Sequence, residues 1–197
     1  MLNPLVRIGA RFALPVFCLA YAAGAQTAPP PPPAPPAAGG VAVAHPTYIS
    51  IAMEVTVNRP AAEVWKRIGK YCDIAEWFQT TCTILSGKDG EFGAVRSVAN
   101  EVLVGKTELS YTYTQPVRDG RPFNMYHGTL EARPLTATTS KLLYTLMLDN
   151  SMLADDAARE KDIEQRRTRF TQALQNMKIL AEGGTLPPAP PRPPAKQ

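Results

Sequence analysis

The stretch Val55–Arg96, VTVNRPAAEVWKRIGKYCDIAEWFQTTCTILSGKDGEFGAVR, decides the fold. It opens inside a period-two run from Tyr48 to Asn58, where Ile49, Ile51, Met53, Val55 and Val57 share one side, the pattern of a half-buried strand. Pro60 suits the first position of a helix, where its missing N–H leaves no bond unmade. Val64, Trp65 and Ile68 give that helix one apolar face, and Gly69 weakens its end. A second short helix is expected over Cys72–Phe78, with Asp73 near its start and Trp77 on its buried side. Thr80–Leu85 is a β-rich run, Ser86-Gly87-Lys88-Asp89-Gly90 carries hairpin-turn chemistry, and Ala94–Val98 is the paired strand.

Beyond this block the alternation continues. Ala99-Asn100 turns the chain, or else the strand runs on to Val104; the sequence leaves both open. Gly105-Lys106 reads as a turn. Leu109, Tyr111 and Tyr113 alternate with polar residues, as do Tyr126, Gly128, Leu130 and Ala132 after a loop from Pro116 to Pro122. Lys141–Asp149 is the last strand, with Leu142, Tyr144, Leu146 and Leu148 on one face. Asp155-Asp156 then start a long helix, since acidic residues favour a helix N-terminus. Ile163, Phe170, Leu174, Met177 and Ala181 form its apolar stripe, and Arg159, Arg166, Arg167 and Arg169 fall mostly off it. Gly183-Gly184 end the helix, which at about 28 residues spans about 42 Å.

This order, together with Val57-Asn58-Arg59-Pro60-Ala61-Ala62-Glu63-Val64-Trp65, Ile74-Ala75-Glu76-Trp77, Gly90-Glu91-Phe92-Gly93-Ala94-Val95-Arg96 and the terminal Ala173–Lys178 helix, resembles the START-like (SRPBCC) superfamily, in particular its polyketide cyclase/dehydrase and lipid-transport branch. The similarity runs over about two thirds of the chain, Met53–Glu182. It implies an α+β helix-grip fold: a curved antiparallel sheet of six to seven strands wrapped around the long C-terminal helix, two short helices after the first strand, and a cavity between sheet and helix. Fold of this kind does not by itself settle function.

The sheet face toward the long helix carries Tyr111, Tyr113, Tyr126 and Tyr144, each an apolar body with a polar tip that wants a partner. They line a pocket or cap the core edge. The resemblance further implies that Arg96 and Glu101 lie at or near the pocket mouth; a surface ion pair across a hairpin is the alternative. Thr80 stands where relatives carry a polar residue that touches ligand. Catalytic candidates are few. His45 lies in the linker, and His127 is opposite in phase to Tyr126, so the two point to opposite faces. No nucleophile elbow, phosphate-cradling glycine loop, cofactor motif or metal-ligand spacing occurs in the sequence.

The ends differ in kind from the middle. Met1–Ala25 reads as a secretory signal peptide: Arg7 and Arg11 make a basic start, Phe12–Ala22 is an apolar core too short to span a bilayer, and Ala23-Gly24-Ala25 fits a cleavage site. Residues 26–46 are a Pro-rich linker and 185–197 a Pro-rich tail, both expected to be disordered spacers. One domain remains, residues 47–184. The net charge of +4 falls to +2 without Arg7 and Arg11, and no basic run interleaved with aromatics suggests nucleic acid. Export, to a periplasm or outside the cell, would put Cys72 and Cys82 in an oxidising compartment, where a disulfide is expected and two buried thiols are the alternative. The expected function is an exported binding or carrier protein for a small hydrophobic or lipid-like molecule. A cyclase- or dehydratase-like enzyme and a partner-binding module with a filled cavity are the alternatives.

Overall fold

The structure, a computed structural model, describes residues 43, 45–118 and 123–188. The expected leader, nearly all of the Pro-rich linker and the last nine residues of the tail lie outside the described residues. Among the described residues the elements run β1 (Tyr48–Val57), α1 (Ala61–Ile68), α2 (Ile74–Trp77), β2 (Ile84–Ser86), β3 (Val95–Arg96), β4 (Glu101–Lys106), β5 (Ser110–Thr114), β6 (Tyr126–Pro134), β7 (Ser140–Asp149) and α3 (Asp156–Ala181).

All seven strands belong to one sheet in the order β1-β7-β6-β5-β4-β3-β2, antiparallel throughout. The edges are β1 and β2, so α1 and α2 carry the chain from one edge of the sheet to the other. β1 pairs with β7 along its whole length, from Tyr48 opposite Asp149 to Val57 opposite Ser140. The expected alternation holds: Ile51, Met53 and Val57 on β1, Leu130 and Ala132 on β6, and Leu142, Leu146 and Leu148 on β7 are buried on one face. Phe170, Ala173, Leu174, Met177 and Leu180 of α3 pack against that face, with Val64 and Ile68 of α1. This is the helix-grip arrangement.

Helix α3 starts where the acidic pair predicts. Asp155 Oδ1 accepts a bond from the Ala158 amide at 2.8 Å, satisfying one of the free N–H groups of the first turn. Gly183 leaves the helix at φ +89°, and the Gly184 amide bonds back to the Ile179 carbonyl at 2.8 Å. Two cations of α3 also cover the exposed β1 edge: Arg167 Nη1 donates to the Ala52 carbonyl (3.2 Å) and Lys178 Nζ to the Thr56 carbonyl (2.6 Å). Capping an edge this way blocks pairing with another chain. Asn176, buried on the same helix, donates to the Trp77 carbonyl at 2.9 Å and so ties α3 to α2.

Three local expectations change. The strand expected over Thr80–Leu85 is only Ile84–Ser86, because the Thr80 amide turns back onto the Ala75 carbonyl at 2.9 Å. The strand over Ala94–Val98 shrinks to Val95–Arg96, and of the two readings left open at Ala99-Asn100 the turn is the one adopted, with both residues at positive φ. Gly105-Lys106 is not a turn but the end of β4. There a register shift between Leu103 and Gly105 absorbs the glycine, and the chain turns one residue later, at Thr107. Asp149 is a buried hub at the β7 exit, accepting from the amides of Thr47 and Ser151 and from the Ser151 hydroxyl. At the far end, Leu186 packs against the core and the Pro187 carbonyl accepts from Gln79 Nε2 at 2.7 Å, so contact with the fold continues past Gly184.

Cys72 and Cys82 are joined in a disulfide, with their Cα atoms 5.5 Å apart. The bond ties the start of the α2 region to the approach of β2 across a separation of 10 residues. Closing a loop of that length removes unfolded-state entropy worth about 2–3 kcal/mol. Urea denaturation of the Cys72→Ser/Cys82→Ser variant is expected to show that loss. An unchanged midpoint would mean the bridge constrains nothing that the helices do not already hold.

Candidate functional site

Tyr113 on β5 lies opposite Gly128 on β6. A Cβ on Gly128 would stand 2.3 Å from Tyr113 Cζ, so only glycine lets the ring lie flat across β6. Its hydroxyl thereby reaches the next strand but one and meets Tyr144 Oη of β7 at 2.9 Å. Burial pushes both phenols well above their ordinary range. Neither is a base at neutral pH.

Beside Tyr113 lies a buried ion pair. Arg96 is fully buried on β3 and Glu101, 3 % exposed, faces it from β4. Nε and Nη2 of Arg96 converge on Glu101 Oε2 at 2.6 and 2.5 Å, and Nη1 donates to the Tyr71 carbonyl at 2.6 Å. The guanidinium is sandwiched between the rings of Tyr71 (4.3 Å) and Tyr113 (4.8 Å), with Tyr111 at 5.8 Å. Burial works against the Arg96 charge, but Tyr111, Glu101 and the other surrounding groups hold the proton on the guanidinium, above its ordinary pKa. Burial pushes the Glu101 carboxyl up against the pull of Arg96 and of Gln115, whose Nε2 donates to the other carboxylate oxygen at 2.8 Å.

A cavity of about 420 Å³ opens between α3, α2 and the β3–β4 turn. Five aromatic rings line it: Phe78, Tyr113, Phe123, Tyr126 and Phe170. Phe170 packs on Phe78 (5.4 Å between rings) and on Tyr144 (4.7 Å), and Phe123 on Tyr126 (5.1 Å). Polar groups enter from two sides. Glu101 and Gln115 reach it from the sheet, and Arg166 and Arg169 stand over it from α3. Arg166 lies 5.2 Å above the Tyr126 ring and is tied to Asp162 at 2.6 Å. Arg169 lies 4.5 Å above the Phe78 ring. The lip carries Ala99, a non-glycine residue held at φ +51°, which costs on the order of 1 kcal/mol.

A second cavity, about 300 Å³, is bounded by Trp65, Tyr71, Tyr111 and the lysines Lys66, Lys70 and Lys106. The Arg96–Glu101 pair and its tyrosines stand between the two. Of the residues singled out in the sequence, Tyr113, Tyr126 and Glu101 are brought together at the larger cavity. Tyr144 backs Tyr113 and Phe170, and Arg96 backs Glu101, neither at the cavity surface. Tyr111 faces the smaller cavity, against Trp65 at 5.7 Å. Thr80 lines neither cavity.

Arg166, Arg169, Phe78, Phe123 and Gln115 were not legible as site residues. For Arg166 a signal existed: Asp162, Arg166 and Phe170 are spaced by four, so they share one face of α3. Phe123 sits in a loop, where no periodicity announces which way a ring points. Among the described residues no group of three or more His, Cys, Asp or Glu could hold a metal ion, and no helix is long and apolar enough to cross a membrane.

Solved structures share this architecture. A protein from Nitrosospira multiformis superposes with a TM-score of 0.52 at 21 % identity, covering 66 % of this chain and 94 % of its own. A protein from Thermobifida fusca gives 0.53 at 20 %, covering 70 % and 97 %. The ZhuI aromatase/cyclase from Streptomyces sp. R1128 gives 0.52 at 16 %, covering 71 % and 100 %. At these identities the likeness is one of fold. No curated protein matches the sequence. The family model described as polyketide cyclase / dehydrase and lipid transport matches residues 48–182, most of the chain and every element from β1 to α3, so the protein belongs to that family.

Proposed function

We propose that this protein binds a small hydrophobic or lipid-like molecule in the cavity between the sheet and α3, and that it works as an exported carrier rather than as a cyclase. The carrying observation is the chemistry of the cavity wall: five aromatic rings, with the one carboxylate from the sheet already engaged on both oxygens by Arg96 and Gln115. Apolar burial supplies affinity at about 25 cal/mol per Å², before the costs of ordering. A cyclase needs a general acid or base free to meet substrate. The buried tyrosines have pKa values pushed upward, and His127, between Thr114 and Met147 in the sheet, is out of phase with the cavity-lining Tyr126. The basic, apolar N-terminal segment and the Cys72–Cys82 disulfide support export to an oxidising compartment.

Native mass spectrometry of the protein purified from its own exported fraction, followed by denaturing extraction, tests this reading. A stoichiometric apolar adduct, lost in a Phe170→Ala/Tyr126→Ala variant, is the expected result. A clean mass that stays clean after incubation with lipid extracts would overturn carriage and favour a partner-binding role. Turnover of a bound polyketide-like substrate would move the assignment to an enzyme.

A further inference from the structure

The larger cavity has an uneven charge balance. Its lining includes two carboxylates, Glu101 and Asp162, and two guanidiniums, Arg166 and Arg169. Glu101 is neutralised from behind by Arg96, and Asp162 by Arg166 at 2.6 Å. Arg169 is left over. Among the described residues no carboxylate lies within ion-pair distance of it. Its guanidinium lies over the Phe78 ring instead, at 4.5 Å, close enough to pull on the Glu101 carboxyl but forming no ion pair with it. The neighbouring Arg167, by contrast, points to the β1 edge and bonds the Ala52 carbonyl.

We infer that the cavity takes a singly charged anionic amphipath, an apolar chain or ring bearing one carboxylate or equivalent acid, with the acid group at Arg169 and the apolar body against Phe78, Tyr126 and Phe170. This rests on the carrier reading and narrows its ligand class. A guanidinium suits an acid of this kind, because its fork can donate two parallel bonds to one carboxylate. The aromatic wall below gives the body of the ligand a dry surface. A neutral ligand of the same shape would gain the wall but not the arginine.

The test is calorimetric titration of the full-length mature protein with dodecanoate and, in parallel, with 1-dodecanol, which has the same chain and no charge. The expected result is that dodecanoate binds roughly tenfold or more tightly than dodecanol, as one charge-assisted contact supplies. Arg169→Gln removes that preference, bringing dodecanoate to the affinity the same variant shows for dodecanol, while Arg167→Gln leaves both ligands as in the parent. Raised salt weakens only the acid. Equal, measurable affinity for the two ligands in the parent protein overturns the anionic inference and leaves carriage standing. So does an Arg169→Gln variant that weakens both ligands alike. Binding of neither ligand overturns carriage and the inference together.

Discussion

Replacing Arg96 with methionine is expected to lower the unfolding free energy by about 3–5 kcal/mol, because it strands Glu101 in the interior without its counter-charge. The loss has three sources on this protein: the pair to Glu101, the bond to the Tyr71 carbonyl, and the stacking between Tyr71 and Tyr113. Methionine keeps the volume of the stem, so the cavity term stays small and the stranded carboxylate dominates. Glu101 should then take up a proton at higher pH than it does in the parent, since burial already pushes its pKa up and Arg96 is what pulls against that. The double variant Arg96→Met/Glu101→Leu should recover most of the loss, because an apolar pair of similar volume owes nothing to desolvation. Urea denaturation of the two variants checks both statements. A loss below about 1 kcal/mol in Arg96→Met would mean that water reaches the pair.

Phe170→Ala is expected to cost about 3 kcal/mol and to enlarge the larger cavity. Phe170 is 7 % exposed and its ring packs on both Phe78 and Tyr144, which also touch Trp77, so its removal takes one aromatic face from each. A site that cannot collapse keeps the space, because Tyr144 is tied to Tyr113 and the α3 backbone is anchored through Asn176 and Lys178. The variant should therefore regain part of its lost thermal stability on binding a bulky apolar ligand, more than the parent gains from the same ligand. Thermal unfolding with and without dodecanol reads this directly. A small loss of stability together with unchanged ligand response would mean that Phe170 is not part of the binding wall.

Much of the fold was legible because periodicity carried it. The period-two runs at Tyr48–Asn58, Tyr126–Arg133 and Lys141–Asp149, and the acidic start of α3, are local signals, and each became the element it announced, with strand ends shifted by a residue. The short strands β2 and β3 were overestimated because their length is set from outside the run. The Thr80 amide is captured by Ala75, and the turn at Ala99-Asn100 cuts β3 short. Gly105 read as a turn because a glycine at a register shift and a glycine at a turn look alike in sequence.

The site was less legible than the fold. Alternation correctly put all four tyrosines on the inner face but could not divide them between two cavities and the core behind. That division is made by Arg96, whose position between Tyr71 and Tyr113 depends on contacts between residues 25 apart in sequence for the Tyr71 carbonyl bond alone. Gly128 shows the same limit. It read only as one place in an alternating strand, and its role, letting the Tyr113 ring cross β6, exists only once β5 and β6 are in register.

The most direct measurement is aromatic heteronuclear NMR of the protein titrated with dodecanoate. Occupancy of the cavity between the sheet and α3 predicts ring shifts concentrated on Phe78, Tyr126 and Phe170, with Trp65 and Tyr111, at the smaller cavity, left in place. Saturating ligand that moves none of the first three rings, or that moves Trp65 in their stead, would contradict it.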